Sequence, residues 1–379
     1  MKTRFLLLAF LLVGISINAQ ELALAKLDSK FGYISRTGDW HIQPQFKVAK
    51  NFSDDMAAAM NDKGKWGYIN RQGEWAIPPK FKKAKYFDSG IAVVLDGRKW
   101  IYINKKGEQI LNNVDTDHMF DFSEGFAQIK KRGKIGFINT TGKVIVEPKF
   151  EVADDFFNGY SKIIYKDDFG VIDTTGAYLL KPEYTFVPKF IYDKNRIGVK
   201  KKGSPGVIID GEFHPIADAN RIWEFPKNSN LTPVYKDWRI GFVDHKGNWV
   251  IEPEFKAAKA FSNNLAPVYN GKRWGFINTT GDIVIPCTFD EAETFSEDGF
   301  ALIFLKGRWG FINTEGKVVV EPKYDILLEQ GFGFIKFKNL NKGFNNGLAR
   351  VKYKKKWGFV NAKGELLNNT WFKNLELFH

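Results

Sequence analysis

Large apolar side chains along this chain alternate with polar or small ones at a spacing of two, in runs of four to seven residues. Such runs are typified by Trp274-Gly275-Phe276-Ile277 and Ile283-Val284-Ile285. Period-two alternation between turn residues predicts β-strands. No segment sustains a 3.6-residue apolar stripe, although one helical turn near Ala84 or Ala292 is compatible with the pattern. The runs recur. Turn glycines fall at Gly38, Gly73, Gly107, Gly142, Gly176, Gly211, Gly247, Gly281, Gly316 and Gly364, separated by 35, 34, 35, 34, 35, 36, 34, 35 and 48 residues. A period this regular marks a repeat protein of ten units rather than a set of unrelated domains.

Each position of the repeat has a physical assignment. The phrase W-G-F-I-N reads as a first strand, whose Gly leaves room for a ring or a neighbouring backbone. Asn or Asp then opens a tight turn, and the Gly three residues on supplies a positive φ, as in a three-residue hairpin loop with a glycine bulge. A β-branched second strand is expected to stop at Pro44, Pro79, Pro148, Pro182, Pro253 or Pro322. An aromatic follows two residues later, then a non-strand connection carrying a second ring (Phe52, Phe87, Phe122, Phe261, Phe295, Phe344), then a third strand such as Ile91-Ala92-Val93-Val94. Residues Leu22 to Leu27 read as a third strand placed ahead of the first unit. The predicted architecture is therefore all-β: about ten three-stranded antiparallel meanders in an open, superhelical, solenoid-like array. A closed β-propeller is the alternative; it is disfavoured because propellers use four to eight blades of four strands and no strand-swapped closure is evident.

The combined phrase [K/R]-W-G-[F/Y]-I-[N/D]-x-x-G-x-x-V-I-x-P-x-[F/Y], followed by F-x-x-G-x-A, resembles the WG-repeat family of bacterial proteins across nearly all of residues 22–372. The resemblance implies a β-rich repeat array and transfers no catalytic residue. Departures lie at Ile101 in place of the Gly, at Asn113 in place of the Pro, and in a worn sixth unit around Pro205-Gly206.

Residues 1–19 stand outside the repeat. Lys2 and Arg4 precede an apolar run from Phe5 to Val13, and Ser16-Ile17-Asn18-Ala19 follows. This is the pattern of a cleaved export signal; the apolar run falls short of the roughly 20 residues that span a bilayer. The repeat array then occupies 20–379, with no later stretch fit to be a transmembrane helix, and the expected location is the periplasm, the outer surface or the medium. Net charge is +13 over the chain and +11 once Lys2 and Arg4 are removed. Aromatics make up 16% of the chain. Export directs that basic, ring-rich composition away from nucleic acid and toward anionic polymers of the envelope or matrix.

Candidate chemistry is sparse. His41, His118, His214, His245 and His379 show no metal-ligand spacing, and no nucleophile elbow or phosphate loop occurs, so no enzyme, metal or cofactor is expected. Cys287 reads as a small, buried thiol. The pairs Asp54-Asp55 and Asp154-Asp155 lie in connections and read as turn or capping residues. Lys65, Lys99, Lys134, Arg239, Arg273, Arg308 and Lys356, together with Lys30, precede the W-G dipeptide or its equivalent. Such a ladder either tracks a linear polyanion or blunts strand edges. In-phase rings are expected to be core rather than sugar-stacking platforms. About 13 extra residues near 330–342, with Phe332, Phe334 and Phe337, form an insertion expected to bind or to cap. Together these features predict a non-enzymatic exported scaffold for a protein partner, or alternatively a binder of anionic polysaccharide through the ladder.

Overall fold

A computed structural model describes residues 21–325 and 343–379. The expected export signal and the insertion with Phe332, Phe334 and Phe337 lie outside the described residues. The chain forms ten small antiparallel sheets arranged in a ring, a β-propeller with ten blades. In blade 2 the strands are a (Val48–Ala49), b (Ala57–Met60), c (Trp66–Ile69) and d (Trp75–Phe81), hydrogen-bonded in that order. Among the described residues, eight blades have four strands, while blade 6 and blade 10 have three.

Two expectations are corrected here. The connection after the Pro-containing segment is not free of strand: its first residues pair with strand b of the following blade, as Val48 does with Met60 and Ala49 with Ala59. Ala84 and Ala292 accordingly lie in a-strands (Lys83–Asp88 and Glu291–Ala292) rather than in a helical turn. The array is also closed, not an open solenoid. Blade 1 holds only strands b, c and d from the N-terminal region (Ala23–Leu27, Lys30–Ile34, Trp40–Phe46), and its strand a is Asn374–Phe378. Ala25 pairs with Leu375 and Lys26 with Asn374, while Leu22 and His379 exchange backbone hydrogen bonds of 3.0 and 3.1 Å. The closure is strand-swapped: Asn374–Phe378 takes, beside strand b of blade 1, the place that strand a holds in the other four-stranded blades.

Successive blades are joined by rings. The aromatic of strand c meets the second Phe of the next connection: Tyr33–Phe52 at 4.8 Å, Tyr68–Phe87 at 4.6 Å, Phe137–Phe156 at 4.9 Å and Phe242–Phe261 at 4.8 Å. At the closure Phe359 meets Phe378 at 4.7 Å. Each pair contributes roughly 0.5–1.5 kcal/mol beyond its buried area. Tyr33 and Tyr68 add a hydroxyl that donates to the carbonyls of Lys50 and Lys85 in the neighbouring blade.

The Gly after Trp is required by strand d. Tyr68 faces Ile77 while Trp66 faces Phe81, so two residues of strand c are spanned by four of strand d. The resulting bulge, with the Pro at its apex, brings a carbonyl over the Gly: a Cβ on Gly67 would lie 2.4 Å from the Ile77 oxygen, and one on Gly136 would lie 2.3 Å from that of Val146. Strand d therefore runs through the Pro instead of stopping there, which an unpaired sheet edge permits. Blade 3 gives the converse case. With Ile101 in place of the Gly, no carbonyl can cross, and its strand d is reduced to Gln109–Ile110.

Candidate functional site

Antiparallel strands send the b–c turns and the d–a connections to one face of the ring, and the a–b and c–d turns to the other. The c–d turns are locked by their first residue. In blade 8 the Asn278 side-chain oxygen accepts the backbone N–H groups of Thr280 and Asp282 and the Thr280 hydroxyl, at 2.7–3.0 Å. Asn70, Asn104, Asn139, Asp173 and Asp244 repeat the arrangement. Hydrogen bonds from Thr280 and Asn278 hold the Asp282 carboxyl below its usual range.

The a–b turns share this face and tie blades together. Asp54 accepts the Gly90 N–H at 2.6 Å and Lys105 at 2.8 Å, while Asp55 pairs with Arg71 at 2.9 Å. Asp154 pairs with Lys162 at 3.3 Å, and Asp155 accepts the Gln128 amide at 2.8 Å. The acidic pairs thus serve as structural ties. Where blade 6 lacks a strand a, Glu224 of blade 7 is half-buried; burial raises its carboxyl above the usual range, against the pull of the Phe190 N–H and of Lys162 and Lys189.

The opposite face carries the basic ladder. Lys65, Lys99, Lys134, Arg239, Arg273, Arg308 and Lys356 all close b–c turns, so the ring brings them to one side, Lys30 included. Several are engaged. Lys134 pairs with Glu151, Arg273 with Asp290, Arg308 with Asp325, and Lys30 with Asp62 of the next blade. Arg239 donates to the Glu254 carbonyl at 2.9 Å. The carboxylates also accept backbone N–H groups from the next b–c turn: Lys166 to Glu151, Lys306 to Asp290 and Lys354 to Asp325, at 3.0–3.1 Å. The Lys134 ammonium holds the Glu151 carboxyl below its usual range. Sequence reasoning passed over these acids, although each directly follows the ring that ends strand d.

Even so, this face is heavily basic. The b–c segments 27–30, 61–65, 96–99, 131–134, 165–168, 201–204, 236–239, 270–273, 305–308 and 353–356 hold twenty Lys and Arg against six Asp. The c–d segments 35–39, 70–74, 104–108, 139–143, 173–177, 209–212, 244–248, 278–282, 313–317 and 361–365 hold eight against ten Asp and Glu. The excess positive charge of the chain is thus concentrated on one side.

The tryptophans of two W-G pairs, and Trp100 at the equivalent position of blade 3, each have a lysine over the ring. Lys50 lies over Trp66 at 5.6 Å, Lys85 over Trp100 at 5.6 Å and Lys259 over Trp274 at 5.2 Å. Cys287 is half-buried, and burial pushes its thiol up. Among the described residues no group of His, Cys, Asp and Glu is placed to hold a metal, and no helix is long and apolar enough to cross a membrane.

The WG containing repeat profile matches residues 31–66, 66–100, 102–134, 135–166, 169–204, 240–274, 274–309, 309–340 and 335–357. The chain belongs to the WG containing repeat family. The one internal stretch of a full unit without a match, 205–239, begins in strand c of blade 6, where the repeat is worn. No curated protein matches the chain. Among solved structures, a eukaryotic initiation factor covers 95% of this chain and 97% of its own at 10% identity and TM-score 0.47. The computationally designed Ika8 protein covers 79% and 98% at 14% and 0.33. BamB from Moraxella catarrhalis covers 79% and 90% at 10% and 0.32. These are loose likenesses, and the ring rests on its own strand pairing.

Proposed function

We propose that this WG-repeat propeller is a non-enzymatic, exported scaffold that binds a protein partner at or outside the cell envelope, through the face made by its c–d and a–b turns. The observation that carries this reading is the locking of those turns: Asn70, Asn139, Asp173, Asp244 and Asn278 each fix their own loop, Asp54 ties its a–b turn to the next blade, and Asp55 ties the same turn to Arg71 in the c–d turn of its own blade. A surface organised before contact loses little conformational freedom on binding, which leaves more of the contact energy as affinity. The Lys2–Arg4 start and the apolar run of residues 5–13 support export.

A photo-reactive residue placed at Thr279, on the c–d face, is expected to capture one discrete protein in the producing cell. The same probe at Lys272, on the b–c face, should not capture it. Equal capture from both positions, or none from Thr279, would reject the assignment of the partner to this face.

A further inference from the structure

The b–c face has a second feature besides its charge. Trp238, at the tip of the b–c turn of blade 7, is 84% exposed, more than any other large apolar side chain among the described residues. It stands at φ 63, beside Asp237 at φ 46. Equivalent turns in blades 4, 6 and 9 place Gly133, Gly203 and Gly307 there, at φ 79 to 88, and those in blades 5 and 10 place the charged Asp167 and Lys355, at φ 70 and 67, so Trp238 is the large apolar side chain among them. A side chain in the left-handed region is disfavoured, because its Cβ crowds the following carbonyl. The fold gets little in return: the indole is left largely in solvent, and among the described residues the ring beside it is Tyr235, edge-on at 6.4 Å. An exposed indole held at some cost to stability, between Lys236 and Arg239 on the basic side of the ring, is placed for contact with something outside the chain.

We infer that the b–c face seats the ring on an anionic lipid surface, with Trp238 inserted at headgroup depth. The turns of a closed ring lie side by side over a broad face, as a bilayer requires; a linear polymer would use only part of it. An indole suits the membrane interface because its body is apolar while its N–H still finds a polar partner. Lysines and arginines near an anionic leaflet each add attraction that falls off within a Debye length. Leu27, 41% exposed, ends strand b at the b–c turn of blade 1 on the same face. This goes beyond the protein-partner reading and leaves the opposite face free for it.

The test is flotation of the purified chain (residues 20–379) with vesicles of 30% phosphatidylglycerol in phosphatidylcholine, and with phosphatidylcholine alone. The chain is expected to float with the anionic vesicles only and to be released at about 1 M salt, where the Debye length shrinks to about 3 Å. Trp238→Gly should lower partitioning about tenfold or more, in line with withdrawing one large ring from an apolar phase. Its melting temperature should hold or rise, because the strained position is relieved. The triple change Lys63→Glu, Lys202→Glu, Lys272→Glu should abolish flotation, and Thr140→Glu with Thr174→Glu on the other face should leave it unchanged. Absence of flotation with anionic vesicles, or flotation unaffected by Trp238→Gly, overturns the inference. So does tight binding of soluble alginate that displaces the vesicles and is indifferent to Trp238→Gly, a result that assigns the face to acidic polysaccharide. Thr279 photo-capture reads the other face, so either reading can fail alone.

Discussion

Replacing Phe378 by Ala separates a closed ring from an open array. Phe378 is 9% exposed, its ring lies 4.7 Å from that of Phe359, and the Arg36 guanidinium sits 4.8 Å above it. Truncating a buried Phe costs about 3–5 kcal/mol, and loss of the cation–π contact adds about 0.5–1 kcal/mol. Phe261, 1% exposed and 4.8 Å from Phe242, makes the same contact in mid-ring and serves as the yardstick. Urea unfolding should show comparable losses for Phe378→Ala and Phe261→Ala, because blade 10 and blade 1 are joined like any other neighbours. A cross-link tests the same geometry from the other side. Ala25 and Leu375 are paired residues, so Ala25→Cys with Leu375→Cys, in a Cys287→Ser background, should oxidise in the folded chain and speed its migration on a denaturing gel. Closing a loop of roughly 350 residues would contribute up to about 5–6 kcal/mol by loop entropy. A Phe378→Ala loss below about 1 kcal/mol beside a full Phe261→Ala loss, with no cross-link formed, would refute the closure.

Gly136→Ala should cost about 3 kcal/mol or more in the same unfolding assay, since its Cβ would meet the Val146 oxygen at 2.3 Å and the Pro148 nitrogen at 2.6 Å, both backbone. Asn278→Ala strips the blade 8 turn of its acceptor and should cost about 1–2 kcal/mol, with faster amide exchange confined to residues 278–282. Because burial raises the Glu224 carboxyl, the folded chain holds that proton more tightly than the unfolded one. Stability from this group is therefore present below the ordinary carboxylate range and is lost as pH rises through the raised value. Glu224→Gln should flatten that part of the thermal stability profile and leave the chain more stable at neutral pH.

Much of this architecture is legible in the chain itself. The 35-residue period, the Asn-x-x-Gly turns, the ring pairs between units and the strand ahead of the first unit all follow from residues that recur in phase. What escapes is carried by residues with too little pattern to register. Strand a is as short as Val48–Ala49, too brief to show a period, so its pairing emerges only once strand b lies beside it. Asn374–Phe378 is longer, but its partner strand Ala23–Leu27 lies at the far end of the chain, so the pairing escapes, and with it the closure. The basic ladder is visible, but its neutralisation is not: Glu151, Asp290 and Asp325 reach it only after strand d has folded back beside strand c. Trp238 carries a signal that could have been found, because it stands in a turn where three other units place Gly.

Closure by Asn374–Phe378 also bears on the order of folding. Nearly every pairing in the molecule joins residues within one or two repeats of each other, which favours quick, local assembly blade by blade. The pairing of Ala25 with Leu375 is the exception, spanning almost the whole chain. Blade 1, the first to be synthesised, is therefore the last to be completed. Until its final strand arrives, the edge of Ala23–Leu27 stays open to any other strand of suitable register, including Asn374–Phe378 of a second molecule. Dilution during refolding should for that reason favour single rings over exchanged dimers.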